Sequence, residues 1–192
     1  MTNFNIVNAV KQITDLNESE LNTIFSRFQH MDIKKRSIVL KADSTAKEVY
    51  IILEGCMRLY YEKDGVDISA YFFTENMFAG AYDSFITQKP SRHFIEAVED
   101  CRVLVISHKA FQELYIAFPK MNEFVRKVIE ERFVSLHALF TSYILDSPEE
   151  RYLHLLKERP DLLNRIPQHQ IATFLGITPV SLSRIRNRVA KK

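Results

Sequence analysis

Long apolar runs are missing from this 192-residue chain. No stretch approaches the roughly 20 apolar residues that a membrane-spanning helix requires, so no membrane partner is expected. The N-terminal stretch MTNFNIVNAVKQITDLNESEL lacks a basic region followed by an apolar core and a small-residue cleavage site, which predicts no secretion signal. Cysteine is scarce. Cys56 and Cys101 stand far apart without a CxxC partner, as packing residues in a reducing cytoplasm would. Two cysteines cannot supply a four-cysteine iron–sulfur set. The six histidines show no metal-ligand spacing such as HxxxH. There is no GxSxG, no P-loop and no paired Cys–His motif, so no enzyme and no metal or cofactor site is expected. Internal repeats and low-complexity segments are absent as well.

One absence is local. From Leu162 to Lys192 there is no Asp or Glu, against six basic residues. From Ser147 onward the net charge is +5, and over the first 146 residues it is −3. A basic tail on a mildly acidic body points to a tail that meets a polyanion, with a merely solvated charged tail as the alternative.

The first forty residues read as helical before the chain begins to extend. Asn17 and Glu20 form a capping box, with Leu16 and Leu21 placed as a hydrophobic staple. From about Ser37 the segments SIVLK, VYIILEG, CMRLYYEKDGVDISAYFF and FIEAVEDCRVLVIS read as short strands, with Asp64-Gly65 as a hairpin turn. Many short strands predict a small β-barrel or β-roll. HKAFQELYIAF predicts a short helix ending before Pro119, and KMNEFVRKVIEERFVSLHALFTSYIL predicts a long one. On it Ile129, Phe133, Leu136, Phe140 and Tyr143 are spaced 4, 3, 4, 3, a heptad stripe that Val125, Val128, Leu139 and Ile144 widen. One edge of such a stripe is expected to pack on the β-domain and the other on a second copy of the chain. The alternative is a long core helix in a monomer. Ser147-Pro148 with Glu150 then marks a new helix start, and Pro160 its end.

The stretch IPQHQIATFLGITPVSLSRIRNR follows. Pro167 is placed to start a helix to about Leu175, Gly176 to take the left-handed position after it, and Thr178-Pro179 to start a second helix to about Val189. A turn of this length predicts a helix-turn-helix. Ile171, Phe174 and Leu175 are expected to pack on Ile177, Leu182, Ile185 and Val189, with Ala172 small at the helix crossing. The opposite face then carries Val180, Ser181, Arg184 and Asn187. Arg184 can pair with a guanine through two hydrogen bonds. Gln168, His169 and Arg188 are expected near backbone phosphate. The alternative is a small helical subdomain with a basic surface.

The chain resembles the Crp/Fnr family of bacterial transcription regulators. VYIILEGCMRLYY with Gly55, then SPEERYLHLL, then the helix-turn-helix stretch carry the resemblance over nearly the full length. It implies an α+β fold: a cyclic-nucleotide-binding-type β-roll at 1–118, a dimerisation helix at 119–146, and a helix-turn-helix domain at 147–192 without a full wing. It also implies a cytoplasmic homodimer that binds an inverted repeat of double-stranded DNA and works with RNA polymerase. Base-reading positions of the family fall on Pro179, Val180 and Arg184, and phosphate or nearby contacts on Thr178, Ser181, Gln168 and His169. Pro179 and Val180 replace a polar pair, which implies a different DNA motif.

The family's ribose-holding Glu falls near Gly80, with no acid nearer than Glu75 and Asp83, and its Arg-Ser pair falls on Ser91-Arg92 in reversed order. Loss of cyclic AMP binding is therefore expected. Phe78, Gly80, Tyr82, Ser91 and Arg92 outline the candidate effector pocket, with no effector identified. The rival reading is a small-ligand or cyclic-nucleotide-binding module whose helical tail contacts a protein.

Overall fold

A computed structural model describes residues 10–11 and 14–191. The helical reading of residues 1–9 lies outside them. The chain forms two compact units, one from residues 1–59 and 72–131 and the other from 60–71 and 132–192. The division falls inside the long helix, whose first turns are buried in the first unit.

The first unit opens with α1 (Glu18–Phe25), and its capping box is formed as expected: Glu20 N donates to Asn17 Oδ1 at 3.0 Å and Asn17 N to Glu20 Oε2 at 2.7 Å. Leu16 and Leu21 are both buried in the same apolar cluster. Strands β1 (Gln29–Ile33), β2 (Ile38–Leu40), β3 (Glu48–Glu54), β4 (Met57–Lys63), β5 (Val66–Phe73), β6 (Phe78–Ala79), β7 (Phe94–Ala97) and β8 (Cys101–Ser107) follow, with α2 (Tyr82–Thr87) between β6 and β7. They form two four-stranded sheets, ordered β1-β8-β3-β6 and β2-β7-β4-β5. In the first, β8 lies antiparallel between β1 and β3. The chain then enters α3 (His108–Ala117) and α4 (Lys120–Leu145).

β8 reads as an almost continuous apolar run because both its faces are covered. Side chains alternate across a strand. Leu104 and Ile106 join Val49 and Ile51 in a cluster with Phe111, Leu114 and Phe124 from α3 and α4, while Val103 and Val105 are buried on the other face. β1 is a departure from the helical reading of the first forty residues. Only Ile33 of its five residues is buried, so QHMDI carries no alternating pattern, and pairing with β8 makes it a strand.

The Asp64-Gly65 hairpin forms as expected, with φ of 54° and 75°, the left-handed pair a tight two-residue turn demands. Arg58 and Glu96 form a nearly inaccessible ion pair at 2.7 Å.

The second unit holds the rest of α4, then α5 (Pro148–Glu158), α6 (Pro160–Arg165), α7 (Gln168–Phe174) and α8 (Pro179–Val189). The start of α5 is the expected one: Glu150 N donates to Ser147 Oγ at 3.3 Å and Ser147 N to Glu150 Oε2 at 2.7 Å. These bonds hold the Glu150 carboxyl below its ordinary pKa. Pro160, read as a stop, also starts a further short helix, α6, whose Leu162 is buried.

Candidate nucleic-acid interface and sensor cavity

The turn between α7 and α8 is closed by backbone bonds. Gly176 N donates to Thr173 O at 3.0 Å and Ile177 N to Ala172 O at 2.9 Å, with Gly176 at φ +68°. This paired arrangement satisfies the last carbonyls of α7 and requires a left-handed residue after its cap. Thr178 then caps α8, its Oγ1 accepting from Ser181 N at 3.2 Å. Ile171, Ala172, Leu175, Leu182 and Ile185 are buried between the two helices, and Phe174, Ile177 and Val189 are half-buried at the edge of this core.

With Leu182 and Ile185 inward, α8 turns a face without acids outward. Val180 is 61% exposed, and Pro179, Arg184 and Asn187 are exposed beside it. Gln168 and His169 are exposed at the start of α7. The Thr178 and Ser181 hydroxyls lie 3.0 Å apart and bond each other. Arg188 is held, its Nη1 lying 2.7 Å from Glu149 Oε2 at the start of α5. Among the described residues no carboxylate pairs with Arg184, so its guanidinium is available to a ligand.

The end of α4 is tied to this turn. The Tyr143 hydroxyl donates to Phe174 O, the Arg151 guanidinium lies 5.2 Å above the Tyr143 ring, and Arg151 donates to Leu175 O at 3.1 Å and to Asp146 O at 2.7 Å. Tyr143 thus has an intramolecular role that its place in the heptad stripe did not reveal. Burial raises its hydroxyl pKa, so it remains a donor. The stripe as a whole is open: Phe133 is 67% exposed and Phe140 64%, with Ile129, Leu136 and Tyr143 exposed beside them.

In the first unit a cavity of about 410 Å³ opens beside Gly80 and Ala81. Of the five residues expected to outline the effector pocket, Gly80 lines it. Phe78 packs on Phe124 with ring centroids 5.9 Å apart. Tyr82 bonds the Tyr115 hydroxyl, and burial raises the pKa of both. Ser91 is buried, donating to His93 O at 2.9 Å and accepting from His93 N at 3.1 Å, while Arg92 is exposed. Both precede β7, so loop geometry rather than strand alternation turns them to opposite sides. The wall that sequence reasoning missed is the turn 41–47, which contributes Lys41, Ser44, Thr45 and Lys47.

Residues 30–117 match the family described as cyclic nucleotide-binding domain. No curated protein matches the sequence. Among solved structures, a CooA variant from Carboxydothermus hydrogenoformans is 19% identical, with 93% of this chain and 86% of that one covered and a TM-score of 0.72. The c-di-GMP responsive global regulator CLP from Xanthomonas campestris is 15% identical, covering 91% and 92%, with a TM-score of 0.72. A candidate transcriptional regulator of the crp/fnr family from Eubacterium rectale is 18% identical, covering 89% and 82%, with a TM-score of 0.71. The chain therefore has the fold of the Crp/Fnr regulators: a cyclic-nucleotide-binding-type roll, a long helix and a C-terminal group of short helices. Among the described residues no helix is long and apolar enough to cross a membrane.

Proposed function

We propose that this protein is a cytoplasmic, homodimeric, sequence-specific DNA-binding transcription regulator. The observation that carries the proposal is the acid-free outer face of α8, where Arg184 stands exposed between Val180 and Asn187 on a helix whose other face buries Leu182 and Ile185. Such a helix can lie in the major groove and read a guanine through two Arg hydrogen bonds. Arg188, Gln168 and His169 flank it as phosphate contacts, and Thr178, Pro179 and Ser181 bring the start of α8 against the duplex. The exposed stripe Ile129, Phe133, Leu136 and Phe140 supports pairing with a second copy. Two recognition helices related by a two-fold axis read an inverted repeat about one DNA turn apart, roughly 34–36 Å. RNA polymerase as a partner rests on fold analogy alone. The sensor unit does not take cyclic AMP in this reading, because Gly80 and Ala81 put no carboxylate where a ribose would need one.

The test is selection of duplexes from a random pool by the purified full-length protein, followed by a salt titration. An inverted-repeat consensus whose affinity falls steeply with salt supports the reading. A protein that binds no duplex even at low salt is instead a ligand-binding module whose helical tail contacts another protein.

A further inference from the structure

The sensor cavity has the makings of a ligand site that differs from a cyclic-nucleotide cradle, and the inference rests on the sensor part of the reading above. Its apolar side includes Ile38, Val39 and Leu40, with Ile38 43% exposed. Its polar wall is the turn 41–47. That wall is fixed in place. Asp43 N donates to Ser91 O at 2.8 Å, Ser91 N to Ser44 O at 2.9 Å, Ala46 N to Ser84 Oγ at 3.0 Å and His108 N to Lys47 O at 2.8 Å. A wall pinned at four points loses little entropy when a ligand binds.

The charge on this wall is unbalanced. Lys41 and Lys47 both line the cavity, and neither forms an ion pair among the described residues. Glu48 also lines the cavity and accepts the Tyr50 hydroxyl at 3.0 Å, so two ammonium groups face one carboxylate. A site with an apolar side and two ammonium groups against one carboxylate, a net positive charge, favours one ligand chemistry. We infer that the cavity beside the turn 41–47 binds a small amphipathic anion, its apolar body on Ile38, Val39 and Leu40 and its single anionic head group held by Lys41 and Lys47.

Calorimetry on the full-length protein with three probes of the same apolar length tests this: octanoate, monooctyl phosphate and 1-octanol. At least one anion should bind saturably, one per protomer and at least tenfold tighter than octanol. The tighter of the two identifies the head group as carboxylate or phosphate. The doubly substituted Lys41→Gln, Lys47→Gln protein changes only exposed side chains. It should keep its circular dichroism spectrum and its octanol affinity, and lose at least tenfold in anion affinity. The inference is overturned if neither anion binds saturably, or if both lysines can be neutralised without loss of anion affinity. Binding is read without DNA, so a protein that takes octanoate but no duplex overturns the regulator reading and leaves this one standing, and the reverse result does the opposite.

Discussion

Gly176 and Gly65 offer a controlled comparison within one compact unit. Both have positive φ, +68° and +75°. A Cβ at Gly65 would meet nothing within 4 Å, whereas one at Gly176 would lie 3.1 Å from Tyr143 Cε1. Gly65→Ala therefore isolates the backbone penalty. A left-handed L-residue costs about 1–2 kcal/mol, and the reduced freedom of the unfolded chain returns about 0.4–1 kcal/mol. The net is a loss of about 1 kcal/mol. Gly176→Ala carries the same penalty and must also displace the Tyr143 ring, which is pinned by its hydroxyl bond to Phe174 O and by the Arg151 guanidinium above it. Giving up the hydrogen bond costs about 1 kcal/mol, and disturbing an exposed cation–π contact about 0.5–1 kcal/mol. The expected loss is about 2–3 kcal/mol, two to three times that of Gly65→Ala. Urea denaturation followed by circular dichroism reads both as shifts of midpoint at unchanged slope. Combining Gly176→Ala with Tyr143→Phe should cost less than the sum of the two, because the ring without its hydroxyl is free to yield. Equal losses at the two glycines, or full additivity with Tyr143→Phe, would refute the packing of Tyr143 on the turn.

Phe133→Asp with Phe140→Asp should give monomers by light scattering, since a paired stripe would bury charges without partners; an unchanged dimer places the seam elsewhere. Arg184→Ala should cost about 1–3 kcal/mol per half-site and relax preference at one base pair, read by binding to single-substitution operators. Arg188→Ala should weaken every duplex alike and reduce the salt slope by about 1, so unaltered salt dependence removes Arg188 from the phosphate contacts. His93 is 4% exposed, and burial lowers its pKa from 6.5 despite Asp83 Oδ1 at 3.8 Å. The fold thus binds fewer protons than the unfolded chain between the lowered value and 6.5, so this stability is complete above 6.5 and lost as pH falls through the folded pKa. His93→Gln should flatten the denaturation midpoint across that window, and an unchanged pH slope would assign the titration to other groups.

The helices were legible because their signals are local. Asn17 with Glu20, Ser147 with Glu150, and Thr178-Pro179 each act within one turn, and α4 spans the same 26 residues, Lys120 to Leu145, that its lack of Gly and Pro marked out. β1 was not legible, because four of its five side chains face solvent and only the partner strand β8 defines it. The cavity was legible only at Gly80. Lys41 and Lys47 reach it because loop-to-loop hydrogen bonds bring Asp43 to Ser91 and Ala46 to Ser84, and no period in the sequence records such bonds.

Tyr143 shows how one spacing can carry two duties. Leu136, Phe140 and Tyr143 follow at intervals of 4 and 3, so all three share a face of α4. All three are exposed, and Tyr143 also bonds the carbonyl of Phe174, next to the helix-turn-helix. Three residues of helix rise only about 4.5 Å. A second copy packed on Phe140 would therefore stand one turn from the group that holds the turn between α7 and α8. Arg151 bonds both Asp146 O at the end of α4 and Leu175 O at the end of α7, so the two ends are clamped through one guanidinium. In a dimer built on this stripe, the position of α8 follows from the helix pairing through Tyr143 and Arg151 rather than through a slack linker. The distance between two recognition helices is then set largely by how the two copies of α4 cross.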